Sequence, residues 1–280
     1  MKIGIIGFGF VGKSIFEFFN NLLDVKVYDI KKNDITVDSI KELTDNRIIF
    51  ICLPTPMKKT GECDTSIIES VISELNNLSF KSKSKVIIKS TIPPGTTESF
   101  IKKYTNLEIG FNPEFLTEAN SIEDFKNQDR IIIGTHKKEY FQEIKTLYRI
   151  GFHNTQIIHS TPIEAEMVKY VSNIYLATKV SFANEIYSIC NFLDIDYNTV
   201  INIAKIDKRL GESHWQVPGP DGKRGFGGSC FPKDINALIY FCKDKNIDID
   251  TIVSAWHTNL RVRPEEDWKL LKGRAVSESE

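Results

Sequence analysis

The sequence predicts an α/β protein in which a doubly wound parallel sheet is followed by a smaller, all-helical domain. Short and nearly continuous apolar runs recur through residues 1–160 and alternate with helical segments, as is typical of parallel strands buried on both faces. A glycine turn joins the first run to an amphipathic helix. From Thr161 onward, the strand pattern gives way to long helical periodicity.

The first apolar run and its glycine turn lie in "MKIGIIGFGFVG". Gly7, Gly9 and Gly12 match the pattern G-x-G-x-x-G directly after a strand and before a helix, and a second strand, "VKVYDI", ends at Asp29. Such glycines let a pyrophosphate reach the helix N-terminus, while the carboxylate binds ribose hydroxyls and repels the 2′-phosphate of NADP. The pattern therefore predicts a Rossmann-like site for NAD. The alternative is a glycine turn in an unrelated α/β unit.

Further strands are predicted in "RIIFICLP", "KVIIKST" and "RIIIGT", separated by helical segments such as "TSIIESVISEL". The segments "LPTP" (Leu53 to Pro56) and "STIPPGTT" (Ser90 to Thr97) begin where their strands end. Ligands collect at the carboxyl ends of the strands in such sheets, so both segments are expected near the cofactor.

One long helix is predicted from "TPIEAEMVKYVSNIYLATKVSFANEIYSICNFL". Thr161 and Glu164 form a possible capping box around Pro162 at the first helical position. Lys169 and Asn173 are four residues apart and share a face of this helix. Taken alone, Lys169 is better explained as an exposed lysine.

Cysteine usage points to a single thiol rather than to a metal site or a disulfide framework. The five cysteines are odd in number and include no CxxC pair. Cys52 and Cys190 lie in apolar stretches, where cysteine behaves as a small hydrophobe. Cys230 lies in "GFGGSCFPKD", where glycines free the backbone to approach a ligand and Pro232 is expected to begin a helix. A helix N-terminus favours the thiolate, whereas the competing interpretation is a small residue in a tight turn.

Composition limits the possible partners. A chain of 280 residues with 41% hydrophobic content can bury a large core, and its net charge of -1 gives no general attraction for nucleic acid. No apolar run reaches the length of a membrane span, and the amino terminus has no signal-peptide pattern. We therefore expect a cytoplasmic protein with a small-molecule partner.

Three segments are expected: an NAD-binding domain at 1–160, a central helical domain with the cysteine loop at 161–262, and a C-terminal tail at 263–280. The tail carries no recognisable motif.

The glycine fingerprint is followed in order by "STIPPGTT", "NPEFLTE", "KYVSN" and "GFGGSCFPKD". With these motifs the chain resembles the UDP-glucose/GDP-mannose dehydrogenase family over about residues 1 to 262. The resemblance implies an NAD-dependent, four-electron oxidation of a nucleotide-sugar primary alcohol to the uronic acid, with UDP-glucose favoured. Members of the family usually continue into a further nucleotide-binding-like domain. A sequence ending at Glu280 is therefore expected to be either a fragment or a shorter enzyme.

The resemblance also implies catalytic roles. Cys230 matches the nucleophile that captures the intermediate aldehyde as a thiohemiacetal, which is then oxidised to a thioester. Lys169 and Asn173 match residues that hold the reacting oxygen, and Asp234 matches an acid/base partner acting with water. The remaining catalytic positions match residues implicated in substrate contact, thioester hydrolysis and the catalytic water, namely Glu114, Glu118 and Thr91.

Binding residues follow from the same resemblance. Cofactor contacts are implied at Gly7, Gly9, Phe10, Val11, Gly12, Asp29, Leu53, Pro54, Thr55, Thr91, Glu118 and Lys233. Substrate contacts are implied at Phe115, Leu116, Lys169, Asn173, Arg209, Phe226 and Gly227. Arg209 resembles an arginine that reaches the substrate of a neighbouring subunit.

A homodimer through the central helices is expected, because the family pairs in this region and the long helix carries many apolar residues, including Ile174, Val180, Ile186 and Phe192. Two other functions remain open. A two-electron β-hydroxyacid dehydrogenase also combines a glycine fingerprint with a helical lysine and asparagine, although it would leave Cys230 idle. A catalytically silent NAD-binding or assembly module is the second.

Overall fold

The computed structural model describes residues 1–31, 36–80 and 84–278, so the last two residues of the predicted tail lie outside the described part. The chain forms two compact units. The first comprises Met1–Thr55 and Asp64–Lys169, and the second comprises Pro56–Cys63 and the chain from Tyr170 onward. This division falls between Lys169 and Tyr170, inside one helix. The boundary between the NAD-binding domain and the central domain, placed before Thr161 from the sequence, stays a prediction.

The first unit contains a sheet whose described strands run in the order β2-β1-β3-β4-β5-β6-β7. Their bounds are β1 Lys2–Ile6, β2 Asp24–Tyr28, β3 Ile48–Ile51, β4 Lys85–Ile88, β5 Glu108–Phe111, β6 Arg130–Gly134 and β7 Gln156–Ser160. Strands β1 to β5 pair in parallel. β6 is antiparallel to β5 and parallel to β7. The predicted α/β fold is confirmed, but the sequence did not reveal β5, β7 or this reversal.

Both faces of the sheet are buried, most clearly at β3, whose four residues are all apolar and buried. Ile49 and Ile51 face one core, whereas Ile48 and Phe50 face the other. Helices α2 (Ser66–Asn76) and α3 (Thr96–Lys103) supply apolar residues to the first core. The second core is covered by α1 (Phe10–Phe19), α4 (Ser121–Lys126) and α5 (Lys138–Arg149). Strand β3 therefore reads as a continuous apolar run rather than an alternating pattern.

Helix α6 spans Pro162–Phe192 and begins where the sequence predicts. The N–H and the hydroxyl of Thr161 both donate to the Glu164 carboxylate at 2.8 Å. The Glu164 N–H, a first-turn donor without an intrahelical acceptor, in turn donates to the Thr161 hydroxyl oxygen at 3.4 Å, which completes the capping box.

The second unit packs the rest of α6 with α7 (Tyr197–Ala204), α8 (Cys230–Asp244) and α9 (Asp250–Val262). Residues 263–278 are also folded into this unit. The buried Trp268 and Ala275 pack with Met57, whose N–H donates to the Ala275 carbonyl at 2.9 Å. The segment 56–63 is therefore held by the carboxyl-terminal residues.

The apolar surface of α6 differs from the predicted interface. Ile174 is buried in the core of the second unit, and Val180 and Ile186 are partly buried against core residues. Of the four predicted positions, Phe192 is the exposed one. Helical phase explains the difference, because one stripe of a helix faces the core along its length and the opposite side faces outward. Among the described helices, α6 included, none has the length and apolar character needed to cross a bilayer.

Candidate functional site

In the first unit, the three glycines after β1 have different roles. A Cβ on Gly7 would lie 2.4 Å from the Cys52 carbonyl oxygen, and one on Gly12 would lie 2.0 Å from the Gly7 carbonyl oxygen. Gly7 also has a φ of +95°, which disfavours other residues. Gly9 meets no atom within 4 Å and is the N-cap of α1. The turn is thus closely packed on one side and open at the helix N-terminus, which fits a pyrophosphate.

Asp29 is held against this turn at the end of β2. Its Oδ2 accepts the Phe8 N–H at 2.6 Å, and its Oδ1 accepts the Lys31 N–H at 2.8 Å. A carboxylate accepts more than two hydrogen bonds, so Asp29 retains capacity for ribose hydroxyls. Phe10 and Val11, also predicted cofactor contacts, form the first turn of α1 and are half-buried. The structure therefore brings the glycine turn and Asp29 together as the sequence predicts.

Asp29 should set the choice between NAD and NADP. We expect Asp29→Asn to narrow the preference for NAD by about tenfold, because the variant keeps a side chain of the same size but loses the charge that repels a phosphate. The measurement is kcat/KM for both cofactors. Asp24→Asn at the exposed start of the same strand is the matched control. Equal efficiency of the unmodified protein with both cofactors would contradict this assignment.

Two loops follow β3 and β4, and a hydrogen bond ties them together. The Thr55 hydroxyl donates to the Thr91 carbonyl at 2.8 Å, and both residues are buried. Leu53 is partly buried in the neighbouring core, and Pro54 is exposed. These predicted cofactor residues therefore lie on two joined loops at the carboxyl edge of the sheet.

A buried ion pair joins the loop after β5 to α6. Lys169 Nζ lies 3.0 Å from Glu114 Oε1, and the two side chains are 4% and 7% exposed. Burial acts to raise the pKa of Glu114, but Lys169 and the Leu116 N–H outweigh it and hold that pKa below its usual range. The Phe115 ring lies 5.6 Å from the same ammonium. Glu118, at the end of this motif, is exposed.

Sequence reasoning missed a buried polar network beside this pair. Lys89 Nζ donates to Asn112 Oδ1 at 2.9 Å, and the Tyr148 hydroxyl donates to the same oxygen at 2.5 Å. The Asn112 amide in turn donates to the Ile132 carbonyl at 2.6 Å. Burial lowers the pKa of Lys89 to about 8. The available signals were a lysine ending the apolar run "KVIIK" and the asparagine of "NPEF".

In the second unit, Cys230 is the first residue of α8, and Ser229 is the N-cap. The prediction that the helix begins at Pro232 is therefore wrong by two residues. Proline is accommodated at the third position because first-turn N–H groups have no intrahelical acceptor. Cys230 is half-buried, and its Sγ lies 3.8 Å from the Ser229 hydroxyl. The thiol thus occupies the end of the helix that favours a thiolate.

Three predicted residues form a buried charge cluster beside this thiol. Asn173 Nδ2 donates to Asp234 Oδ2 at 2.5 Å, and Lys233 Nζ pairs with Asp234 Oδ1. Burial acts to lower the pKa of Lys233, but the negative charges of Asp234, Cys230 and Cys63 raise it above its usual value. Lys233 is therefore a fixed cation whose charge favours ionisation of Cys230.

The other predicted substrate residues of this unit lie in different surroundings. Phe226 is buried in the core, and Gly227 is half-buried next to the Arg263 side chain. Arg209 lies in a short 3₁₀ helix, Lys208–Leu210, with its side chain 89% exposed. Its guanidinium donates to Asp207 at 2.9 and 2.5 Å. The structure therefore places Arg209 at the surface and the Phe226 side chain in the core of the second unit.

Two of the remaining cysteines, Cys52 and Cys242, have thiol pKa values raised by burial, and that of Cys52 is raised to about 12. Cys63 and Cys190 are buried, and none of the five forms a disulfide in the described chain. Within the described ranges, no group of three or more His, Cys, Asp and Glu side chains is placed to hold a metal ion. Cys230 is distinguished by its position as the first residue of α8.

Comparison with protein families gives two adjacent matches. Residues 30–151 match the NAD binding domain of the UDP-glucose/GDP-mannose dehydrogenase family, and residues 163–261 match the central domain of the same family. The first match confirms NAD, predicted from the glycines and Asp29, as the cofactor. The glycines themselves precede the matched range.

Curated relatives and a solved structure agree with these matches. UDP-glucose 6-dehydrogenase of Rickettsia bellii is 34% identical over 78% of this chain and 50% of its own length. GDP-mannose 6-dehydrogenase of Pseudomonas aeruginosa is 33% identical over 80% of this chain and 53% of its own length. The structure of a UDP-glucose dehydrogenase from Pyrobaculum islandicum superposes with a TM-score of 0.84 at 27% identity, covering 93% of this chain and 68% of that one. This chain spans about half the length of the curated relatives it matches.

Proposed function

Because the chain belongs to the UDP-glucose/GDP-mannose dehydrogenase family, as its motifs predicted, we propose that it oxidises the primary alcohol of a nucleotide sugar to a carboxylate, with UDP-glucose as the favoured substrate. The observation that carries this proposal is the arrangement at the start of α8. There, Cys230 lies at a helix N-terminus beside Lys233 and the Asp234–Asn173 pair. A simple two-electron oxidation needs no activated thiol, whereas an oxidation through an acyl intermediate does.

Bound NAD supplies the hydride acceptor for both oxidation steps. In the proposed mechanism, the Cys230 thiolate adds to the carbonyl carbon of the intermediate aldehyde, and the carbonyl oxygen takes up a proton to give a thiohemiacetal. Oxidation of this adduct gives a thioester, and water then cleaves its C–S bond to release the acid and the thiol. Covalent capture prevents escape of the aldehyde between the two oxidations.

The charged residues have proposed roles that follow from their surroundings. Lys169, which is paired with Glu114, donates to the reacting oxygen and stabilises its developing negative charge, and Asn173 donates an amide hydrogen bond to it. Asp234, already bonded to Asn173, exchanges protons with water. Lys233 favours the thiolate of Cys230.

The loop residues of the first unit have proposed roles of their own. Glu114 is kept ionised by its ion pair, so it can accept a hydrogen bond from a sugar hydroxyl or from the water that attacks the thioester. Thr91, joined to Thr55, is proposed to position that water. The exposed Glu118 is proposed to contact substrate and cofactor.

The experiment that tests the function is a substrate panel. The purified chain is incubated with NAD and UDP-glucose, GDP-mannose, UDP-N-acetylmannosamine or a small β-hydroxyacid, and NADH is followed by absorbance. We expect NADH formation with at least one nucleotide sugar, fastest with UDP-glucose. NADH formation with the β-hydroxyacid alone, or with no compound, would overturn the proposal.

We further propose that two copies of the chain pair through α6. Such pairing is needed for the proposed role of Arg209, which is to contact the substrate bound by the neighbouring subunit. A stripe of apolar side chains is exposed on the part of α6 in the second unit, namely Val171, Tyr175, Phe182, Ile189 and Phe192. Each is more than half exposed, and an exposed apolar stripe of this length is typical of a protein interface. Sedimentation at micromolar concentration should give a dimer, and Tyr175→Glu should give a monomer. A monomeric unmodified chain would contradict the pairing.

A further inference from the structure

The glycine loop that leads to Cys230 is held from behind by α9. Asn259 is fully buried on that helix, and its side-chain amide bonds both main-chain groups of Phe226. The Phe226 N–H donates to Asn259 Oδ1 at 2.7 Å, and Asn259 Nδ2 donates to the Phe226 carbonyl at 3.0 Å. One side chain thus replaces the pair of bonds that a neighbouring strand would provide. We call these two bonds between Asn259 and Phe226 the clamp.

Two glycines of this loop allow it to pack closely against the residues behind it. A Cβ on Gly225 would lie 2.4 Å from Asn259 Oδ1, and one on Gly227 would lie 2.5 Å from Arg263 Nη2. Gly228 meets no atom within 4 Å and has a φ of +71°. Gly225 and Gly227 are therefore required for close packing against Asn259 and Arg263. Gly228 is the one of the three that faces open space.

Two further side chains fix the same loop. Arg263 is buried and pairs with Asp221 and Asp267, each at 2.6 Å. From α6, Asn184 Oδ1 accepts the Gly225 N–H at 3.2 Å. Buried polar groups that are fully paired stabilise one conformation, since each would lose a partner in any other. We therefore expect this loop to hold one conformation.

Aromatic packing links the clamp to the thiol. The Phe226 ring contacts the Phe231 ring edge to face, with centroids 5.9 Å apart, and it also contacts Trp256 of α9 at 6.1 Å. Phe231 is the residue directly after Cys230. The main chain of Phe226 is fixed by Asn259, and its ring then fixes the first turn of α8.

We infer that Asn259 is a positioning residue for Cys230: by clamping Phe226, it holds the thiol at the N-terminus of α8 and beside Lys233. This inference rests on the proposed function in which Cys230 is the nucleophile. Asn259 itself acts through Phe226 and Phe231. Misplacement of a reacting group by about 1 Å can cost about 100-fold in rate, so loss of the clamp should affect turnover strongly.

The test uses Asn259→Ser, which removes both bonds, and Thr258→Val as the matched control. Thr258 is also buried on α9, and its hydroxyl donates to Glu185 at 2.6 Å rather than to the loop. Three quantities are measured on the purified chain: hydrogen exchange of the Phe226 amide, the pH dependence of Cys230 alkylation by iodoacetamide from peptide mass spectra, and kcat and KM for NAD.

We expect a strongly protected Phe226 amide in the unmodified chain. In Asn259→Ser, that protection should be lost, the midpoint of Cys230 alkylation should move to higher pH, and kcat should fall by about 10- to 100-fold with little change in KM for NAD. Thr258→Val should leave the alkylation midpoint and the Phe226 amide as they are. Equal shifts of the Cys230 alkylation midpoint in the two variants would overturn the inference, and so would a rapidly exchanging Phe226 amide in the unmodified chain.

The exchange and alkylation measurements need no turnover. If Asn259→Ser does not fold, the Phe226 amide of the unmodified chain still tests the clamp. If the unmodified chain oxidises no substrate while Asn259→Ser still shifts the alkylation midpoint, the proposed function fails and the clamp stands.

Discussion

Cys230→Ser should abolish steady turnover to the acid while leaving NAD binding close to that of the unmodified chain. A serine hydroxyl is almost fully protonated at neutral pH, so neither the helix end nor Lys233 can supply a nucleophile at that position. We expect kcat to fall by at least about 10³-fold, equivalent to about 4 kcal/mol of transition-state stabilisation. The affinity for NAD should persist because Gly9 and Asp29 belong to the first unit and Cys230 to the second.

Cys242→Ala is the matched control for this variant. Cys242 lies on the same helix, and its burial raises the pKa of its thiol, so it stays neutral. Its removal should lower stability modestly and leave turnover near the original rate. Calorimetric titration with NAD and an assay of NADH formation measure the two properties separately. Sustained production of acid by Cys230→Ser would remove Cys230 from the mechanism.

Lys169→Met should lower both activity and stability. The ammonium lies 3.0 Å from Glu114, and removing it leaves a buried carboxylate without its closest cation. Breaking a buried pair in this way typically costs about 3–5 kcal/mol. Loss of a group that stabilises developing charge should also reduce kcat by about 10²- to 10³-fold. Urea unfolding and steady-state kinetics measure these effects.

The stability loss should depend on pH with a definite sign. In the unmodified chain, the folded pKa of Glu114 is lowered, so its contribution is present above the unfolded pKa and is lost as pH falls through the folded pKa. Without Lys169, burial should raise that pKa above the unfolded value, and the penalty should be relieved by acidification. The difference in stability between the two chains should therefore be largest at neutral pH and should shrink toward about pH 4.

Two companion variants separate this effect from general damage. Lys103→Met breaks an ion pair with Glu69 whose side chains are 62% and 38% exposed, and exposed pairs contribute little to stability because water screens them. The effect of Lys103→Met on the free energy of unfolding should be small at every pH. The double variant Glu114→Gln with Lys169→Met should recover much of the stability but not the activity. A gap between Lys169→Met and the unmodified chain that does not change with pH would contradict the role of Glu114.

The parts of the fold predicted from sequence are those with a strong local pattern. The glycine turn, the long apolar strands and the capping box at Thr161 are each specified by neighbouring residues. By contrast, β5 is the four-residue segment "EIGF" and β7 is "QIIHS", which are too short or too polar to stand out. The reversal of β6 depends on pairing with β5, which no local pattern encodes.

The roles of the site residues stay predictions from the order of the motifs and from the family resemblance. Cys230, Asp234, Lys169 and Asn173 were identified from motif order and family resemblance, and the structure gives each a partner within its own unit. The clamp at Asn259 was missed because it joins residues that are 33 positions apart in the sequence. Its partners at Phe226 are the main-chain N–H and carbonyl, which every residue except proline has, so the identity of Phe226 gives no sign of the contact. Lys89 was missed for a similar reason, since its partner Asn112 follows a different strand.

The central claim is a four-electron oxidation through Cys230, and the most direct test is the ratio of NADH formed to nucleotide sugar consumed. The assay combines absorbance for NADH with chromatography for the sugar nucleotide and its acid. We predict two NADH for each nucleotide sugar, with the uronic acid as the sole product and no free aldehyde. One NADH for each substrate, with a released carbonyl product, would contradict the claim and favour a two-electron dehydrogenase.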